Sequence, residues 1–276
     1  MSHIGKKLRL GRIFDNQTNR TVIAAMDHGL FMGPVKGLEN VSLTARKAVE
    51  GGANAVIVSP GALRQVADEV RGKAGVIMRI DGAVTMYGPD FFSTRRIAFV
   101  KNAVRSGADA VIAMGYIGAA RESETLENLS QIAQECEEVG MPLLAEMIPV
   151  QGEKIKDPYG ADAVGLAARV GAEIGADIIK THYTGQESTF REVVRGCSVP
   201  IIIAGGPKMK TEEQALAVVR EAMRGGAAGV AFGRNIWQSQ NPEGIVRAIV
   251  EIVHGKKGFG KEDKPIPKGK SSLQNL

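Results

Sequence analysis

The sequence predicts a (β/α)8 barrel. Three observations carry the prediction. The composition is rich in small and aliphatic residues: 44% hydrophobic, 5% aromatic and 34 glycines in 276 residues, which suits a large α/β domain with strands buried on both faces. Four segments read alike: Gly51-Gly52-Ala53-Asn54-Ala55-Val56, Ser106-Gly107-Ala108-Asp109-Ala110-Val111, Ile174-Gly175-Ala176-Asp177-Ile178-Ile179 and Gly225-Gly226-Ala227-Ala228-Gly229-Val230. Between them lies a second set of apolar runs, so strands recur throughout the chain.

Each repeat follows an amphipathic helical stretch and opens a strand. Its glycine accommodates the left-handed turn that ends the helix. Eight strands are expected: 21–27, 54–59, 75–80, 109–114, 142–147, 176–181, 200–204 and 228–233. Helical patterns follow them. Ser93 or Thr94 is expected to cap a helix with Ile97, Val100 and Val104 on one face. Ser123 begins another, with Leu126, Leu129, Ala133 and Cys136 inward. Thr211-Glu212-Glu213-Gln214 is a capping box, and Asn241-Pro242 places an N-cap before a proline at the first helical position. Eight alternations close a barrel. The alternative, an open doubly wound sheet, normally carries G-x-G-x-x-G after its first strand. His28-Gly29-Leu30-Phe31-Met32-Gly33 lacks that spacing, and no P-loop occurs. The expected organisation is a lead-in over 1–20, the barrel over 21–254 and a basic C-terminal tail over 255–276, read as flexible or, alternatively, as a subunit-contact arm.

Charge and composition exclude several classes. The net charge is +5, but residues 255–276 hold six lysines, one glutamate and one aspartate, so the body is nearly neutral. A basic tail on a neutral body is not a nucleic-acid-binding domain. No apolar run is long enough to span a membrane, and residues 1–19 have no secretory core. Two cysteines do not make a disulfide framework, so a cytoplasmic protein is expected. Cys197 falls at the barrel's lower face and Cys136 on a buried helix stripe; neither reads as a nucleophile.

In such barrels chemistry sits at the C-terminal ends of the strands. There the sequence places Asp27-His28 after strand one, Arg79 and Asp81 at strand three, Tyr116 after strand four and Glu146 in strand five. Lys180-Thr181-His182-Tyr183 ends strand six. Gly205-Gly206-Pro207-Lys208 and Gly233-Arg234-Asn235 follow strands seven and eight. By the two-residue period, Ile178, Lys180 and His182 share a face. A lysine there either enters the barrel mouth or lies under the outer helices, and it is either a nucleophile for carbonyl chemistry or a phosphate-binding or salt-bridged group. Asp27 is a candidate acid/base, or the partner that orients Lys180; the alternative is a cap. Gly205, Gly206, Lys208, Gly233 and Arg234 are candidate phosphate ligands, because barrels commonly build that site from the last two loops; the alternative is that the glycines only make tight turns. His28, Glu146 and His182 are accessory candidates. Together with Asp27 these residues lack metal-ligand spacing, so no metal and no cofactor is expected.

The chain resembles the archaeal-type class I fructose-bisphosphate aldolase family, which includes an aminodideoxyheptulosonate synthase and the phospho-autoinducer-2 thiolase. The matching segments are Arg12-Ile13-Phe14, Met26-Asp27-His28-Gly29, Gly33-Pro34, Asp177-Ile178-Ile179-Lys180-Thr181, Gly196-Cys197, Ala204-Gly205-Gly206-Pro207-Lys208 and Gly233-Arg234-Asn235-Ile236-Trp237-Gln238. The resemblance implies that Lys180 is the Schiff-base lysine, Asp27 an acid/base residue, and the last two loops the phosphate site. It also implies a phosphorylated small-molecule substrate and a homo-oligomer, a decamer in many members. One departure stands out. The family's aldolase and heptulosonate synthase usually carry Tyr-Pro-Arg-Gly after strand five, where this chain has Ile148-Pro149-Val150-Gln151-Gly152. The thiolase also lacks that tyrosine, and Gly61-Ala62-Leu63-Arg64 and Tyr116-Ile117-Gly118 look like its segments. The expected activity is therefore that of a Schiff-base aldolase on phosphorylated ketoses, fructose-bisphosphate aldolase-like. The alternatives are a thiolase or transaldolase of the same superfamily, a sugar-phosphate-binding regulator without catalysis, and a metal-dependent aldolase, which the ligand set disfavours.

Overall fold

A computed structural model describes residues 2–255. Eight parallel strands close into a barrel: β1 (Thr21–Ala25), β2 (Ala55–Val58), β3 (Gly75–Arg79), β4 (Ala110–Ile117), β5 (Leu143–Pro149), β6 (Ile178–Thr181), β7 (Ile201–Ala204) and β8 (Gly229–Phe232), with β1 pairing to both β2 and β8. All eight predicted strands form. The repeat works as the sequence implied: Gly52, Gly107, Gly175 and Gly226, one at the same place in each copy, have φ between 74° and 111°. That backbone conformation strains any residue with a Cβ.

Alternation along the strands divides the apolar residues into two cores. Val22, Ala24, Val56, Val58, Ile179, Ile201, Ile203, Val230 and Phe232 face outward and pack against the helices. Ile23, Ala25, Ala55, Ile57, Ile77, Ala110, Ile112, Leu144, Ile178, Ile202 and Ala231 face the barrel axis. Residues 1–20 include a helix, Ser2–Ile13, that closes the lower end of this axial core. Leu10, Ile13 and Phe14 join the axial cluster, and Thr21 Oγ1 donates to the Ile13 carbonyl at 2.7 Å. Lys6 Nζ pairs with buried Asp177 at 3.1 Å.

One helix differs from expectation. Ser93 and Thr94 cap nothing. Arg95–Arg96 instead pairs antiparallel with Asp81–Gly82, and the helix runs only from Val100 to Arg105. The reason is local: the Thr94 hydroxyl donates to Asp81 Oδ2 at 2.8 Å, so it is spent on the barrel mouth. Asn102 supplies the cap by accepting from the Phe99 N–H at 3.0 Å. Val100 and Ala103 are buried while Ile97 and Val104 stay partly exposed. The other helix starts agree to within a residue. The Ser123 helix spans Glu122–Val139 and buries Leu129, Ala133 and Cys136. Thr211 with Gln214, and Asn241 before Pro242, cap as their sequences predict. The expected tail over 255–276 lies, beyond Gly255, outside the described residues.

Candidate active site

The axial positions change chemistry along the strands. In their lower halves they are Ile77, Ile112, Leu144, Ile178 and Ile202. Two residues further along three of these strands, the same face carries Arg79, Glu146 and Lys180. Asp27, two residues beyond Ala25, joins them. All four are at most 8% exposed. Charges survive such burial only when paired, and here every one is. Glu146 and Lys180 are register partners on adjacent strands, with Nζ 2.6 Å from Oε1. Arg79 stands at the centre: Nε donates to Asp27 Oδ2 at 2.5 Å, Nη1 to Asp81 Oδ1 at 3.0 Å, and Nη2 to Glu146 Oε2. His28 Nδ1 lies 3.4 Å from Asp27 Oδ1.

The electrostatics follow from these contacts. Burial by itself raises a carboxyl pKa. For Asp27 the Arg79 charge, the close approach of His28 and the Lys180 charge outweigh it and hold the group well below its ordinary range. Lys180 and Arg79 do the same for Glu146, more strongly than nearby Asp27 opposes them. Asp81 is pushed up, because complete burial outweighs Arg79, the Met114 N–H and Thr94. Tyr116, on the axial face of β4 and paired in register with Ile148, is driven upward by burial and by the charges of Asp81 and Glu146. His182 stacks on Tyr159 with centroids 4.4 Å apart, and burial lowers its pKa, favouring the neutral ring.

The two loops at the far side of the mouth are tied together by a buried asparagine. Asn235 Nδ2 donates to the carbonyls of Gly205 (2.9 Å) and Pro207 (3.1 Å), and its Oδ1 accepts from the Met209 N–H at 2.9 Å. Glycine is required at two of these positions by close approach. A Cβ on Gly205 would meet the Phe232 ring at 2.9 Å, and one on Gly233 would meet His28 Cε1 at 2.6 Å. Arg234 Nε is buried with no hydrogen-bond partner, and burial lowers the pKa of its guanidinium. A desolvated cationic donor of this kind invites an anion.

The structure thus brings Lys180, Asp27, Glu146 and His28 into one network and keeps Gly205, Gly206, Lys208, Gly233 and Arg234 on the two adjoining loops. His182 shares the face of Lys180 but joins no ion pair among the described residues. The centre of the network is a residue to which the sequence reading gave no role. The sequence shows Arg79 as a charge at a strand end with Asp81 two residues on, yet nothing local reveals that Asp27 and Glu146 converge on it from other strands. Asn235 was likewise legible only as part of a Gly-Arg-Asn string. Cys136 and Cys197 lie off the site, and burial pushes both thiols up. Among the described residues no group of three His, Cys, Asp or Glu side chains is arranged to hold a metal ion, and no helix is long and apolar enough to cross a membrane.

Comparison with known proteins places this architecture. Residues 21–239 match the DeoC/LacD family aldolase description. A 2-amino-3,7-dideoxy-D-threo-hept-6-ulosonate synthase of Halobacterium salinarum is 37% identical over 254 residues, covering 92% of this chain and 93% of the relative. A 3-hydroxy-5-phosphonooxypentane-2,4-dione thiolase of Yersinia pestis is 38% identical over 251 residues, covering 91% and 82%. Among solved structures, an archaeal fructose-1,6-bisphosphate aldolase, with its catalytic lysine covalently bound to the carbinolamine intermediate of the substrate, superimposes with a TM-score of 0.81 at 31% identity, over 90% of this chain and 99% of that one.

Proposed function

The chain belongs to the DeoC/LacD family of aldolases, and on that premise we propose that it makes or breaks a carbon–carbon bond in a phosphorylated ketose or diketone through a Schiff base on Lys180. The observation that carries this reading is the position of Lys180: an axial lysine at the barrel mouth, 5% exposed, with a carboxylate oxygen 2.6 Å from its nitrogen.

That geometry supports a sequence of steps. Glu146 Oε1 takes a proton from Lys180 Nζ, freeing the lone pair that attacks the substrate carbonyl carbon. The carbinolamine oxygen is protonated and leaves as water, giving an iminium. Its positive nitrogen accepts the electron pair when the neighbouring C–C bond breaks, or supplies the enamine that attacks an acceptor when the bond forms. Asp27 Oδ1, beside His28, exchanges protons on the substrate side. Gly205, Gly206, Gly233, Arg234 and Lys208 hold the phosphate, so that binding energy remote from the reacting carbon orients it.

A substrate with one phosphate fits better than a bisphosphate. Val150, where related enzymes carry an arginine, is 8% exposed and spends its N–H on the Ile117 carbonyl at 2.8 Å. It offers a second phosphate no charge. The thiolase among the relatives, which also departs from the Tyr-Pro-Arg-Gly pattern, is therefore as close a guide as fructose-bisphosphate cleavage. The test is borohydride trapping with peptide mapping across dihydroxyacetone phosphate, fructose 1,6-bisphosphate and a phosphorylated diketone. A reduced adduct on Lys180 is expected. Activity without any lysine adduct, or an adduct on Lys208 or Lys210, would overturn the proposal.

A further inference from the structure

Three carboxylates meet in one buried space, and the hydrogen bonds divide them into two kinds. Both oxygens of Asp81 are occupied: Oδ1 by Arg79 Nη1 at 3.0 Å, Oδ2 by Thr94 Oγ1 and the Met114 N–H, each at 2.8 Å. Asp27 and Glu146 are each held by Arg79 through one oxygen only, Oδ2 and Oε2. Their other oxygens face ionisable groups: Asp27 Oδ1 faces His28, and Glu146 Oε1 faces Lys180. The three guanidinium nitrogens therefore each address a different carboxylate.

We infer that Arg79 is a positioning residue that divides proton handling between two carboxylates, clamping one oxygen of each so that Glu146 Oε1 serves Lys180 and Asp27 Oδ1 serves the substrate side with His28. Asp81, with no oxygen to spare, is the anchor that aims the guanidinium and exchanges no proton. The inference rests on the reading of Lys180 as the Schiff-base lysine for its chemical meaning, but its geometry stands apart from that reading.

The physical argument is one of like charges. Two carboxylates sharing a low-dielectric space do not both stay ionised unless a cation lies between them. Arg79 is that cation, fixed and always charged. Its planar fork presents donors in three directions at once, whereas a lysine ammonium is a flexible point charge and would settle toward one partner. Other titratable groups around the pair are His28 from the loop after β1, Tyr116 from β4, and Lys180 and His182 at the end of β6. The nearest cation other than Arg79 is Lys180, the group whose proton must move. Arg79 is thus the charge that holds both carboxylates ionised while the lysine changes state.

The test reads the carboxylates directly. Carboxyl 13C titrations of the full-length chain are recorded for wild type, Arg79→Met and Arg79→Lys, with Asp27→Asn and Glu146→Gln assigning the signals. In Arg79→Met the midpoint of Asp27 or Glu146 should rise by about 1–3 units, the usual shift for losing an adjacent arginine; Arg79→Lys should recover part of it. The acid limb of borohydride trapping with dihydroxyacetone phosphate should move the same way. A folded Arg79→Met protein with wild-type midpoints would overturn the inference. Should that variant fail to fold, Arg79→Lys decides the question, because it keeps a cation but not the three-way fork. Its midpoints should still lie above wild type, and wild-type midpoints there also overturn the inference. A wild-type protein that forms no Lys180 adduct refutes the Schiff-base reading instead, and the titrations still decide the role of Arg79.

Discussion

Glu146 and Lys180 occupy paired positions on adjacent parallel strands, and their side chains meet at 2.6 Å on the barrel axis. The pairing is a consequence of register: both residues sit two positions beyond an axial aliphatic, Leu144 and Ile178. Proton acceptor and nucleophile are thereby held by backbone hydrogen bonds rather than by mobile loops, which favours a preorganised transfer.

Lys180→Met, similar in length, should fold and retain phosphate binding but form no borohydride adduct. Asp27→Asn should still trap an imine while turnover falls by roughly 10²–10⁴-fold, the usual size of a lost acid/base group. Peptide mapping and steady-state rates on the same preparations distinguish the two. A turnover in Lys180→Met close to wild type would remove the lysine from the mechanism.

Glu146→Gln should slow adduct formation more than it weakens substrate binding, because the amide holds the position but takes no proton from Lys180. A trapping rate reduced by about 10²-fold or more is expected, with a KM near wild type. An equal trapping rate would mean that water, not Glu146, receives the proton.

Arg234→Ala should weaken a phosphorylated ligand by about 1.5–3 kcal/mol, the contribution of a charged hydrogen bond. Calorimetry with the dephosphorylated sugar should show little change. Equal losses for both ligands would make Arg234 a structural residue.

Acid stability should track the clamped carboxylates. Asp27 and Glu146 have folded-state pKa values below their ordinary 3.8 and 4.5. Their contribution is therefore fully present above those ordinary values and is lost as pH falls below them toward the folded values. Asp81, raised by burial, acts in the opposite sense and offsets part of the loss. Urea midpoints should fall as pH drops below 4.5, and the fall should be shallower in Asp27→Asn. An identical slope would show that Asp27 is not held low.

Lys6→Met should destabilise the fold by about 3–5 kcal/mol, because it strands buried Asp177 without its cation. Burial already raises the pKa of Asp177 against the Leu143 N–H and Lys6. The variant should therefore regain part of its stability on acidification, as Asp177 takes up a proton. A loss that stays constant with pH would point to lost packing of the lysine stem instead.

The repeat, the strand count, the parity of side chains and the helix caps at Thr211 and Asn241 were determined by the sequence itself, because each depends on neighbours within a turn or a strand. Parity puts Lys180 on one face with Ile178 and His182, but only the closed barrel shows that this face is the axial one; the Gly-Gly and Gly-Arg strings mark the loops that adjoin it. At residues 93–99 local sequence misleads for the complementary reason: Thr94 is a good helix cap by local chemistry, but Asp81 claims its hydroxyl, and that carboxylate arrives from a different strand. Arg79 shows the same limit more sharply. Along the chain it is one charge after an apolar run with Asp81 two residues on; only closure of the barrel brings Asp27 and Glu146 onto its other two nitrogens. Local sequence decides which face a side chain takes, because backbone geometry is periodic. Which charges share a desolvated space is decided by strand register and barrel closure, and in that space their proximity sets which protons move.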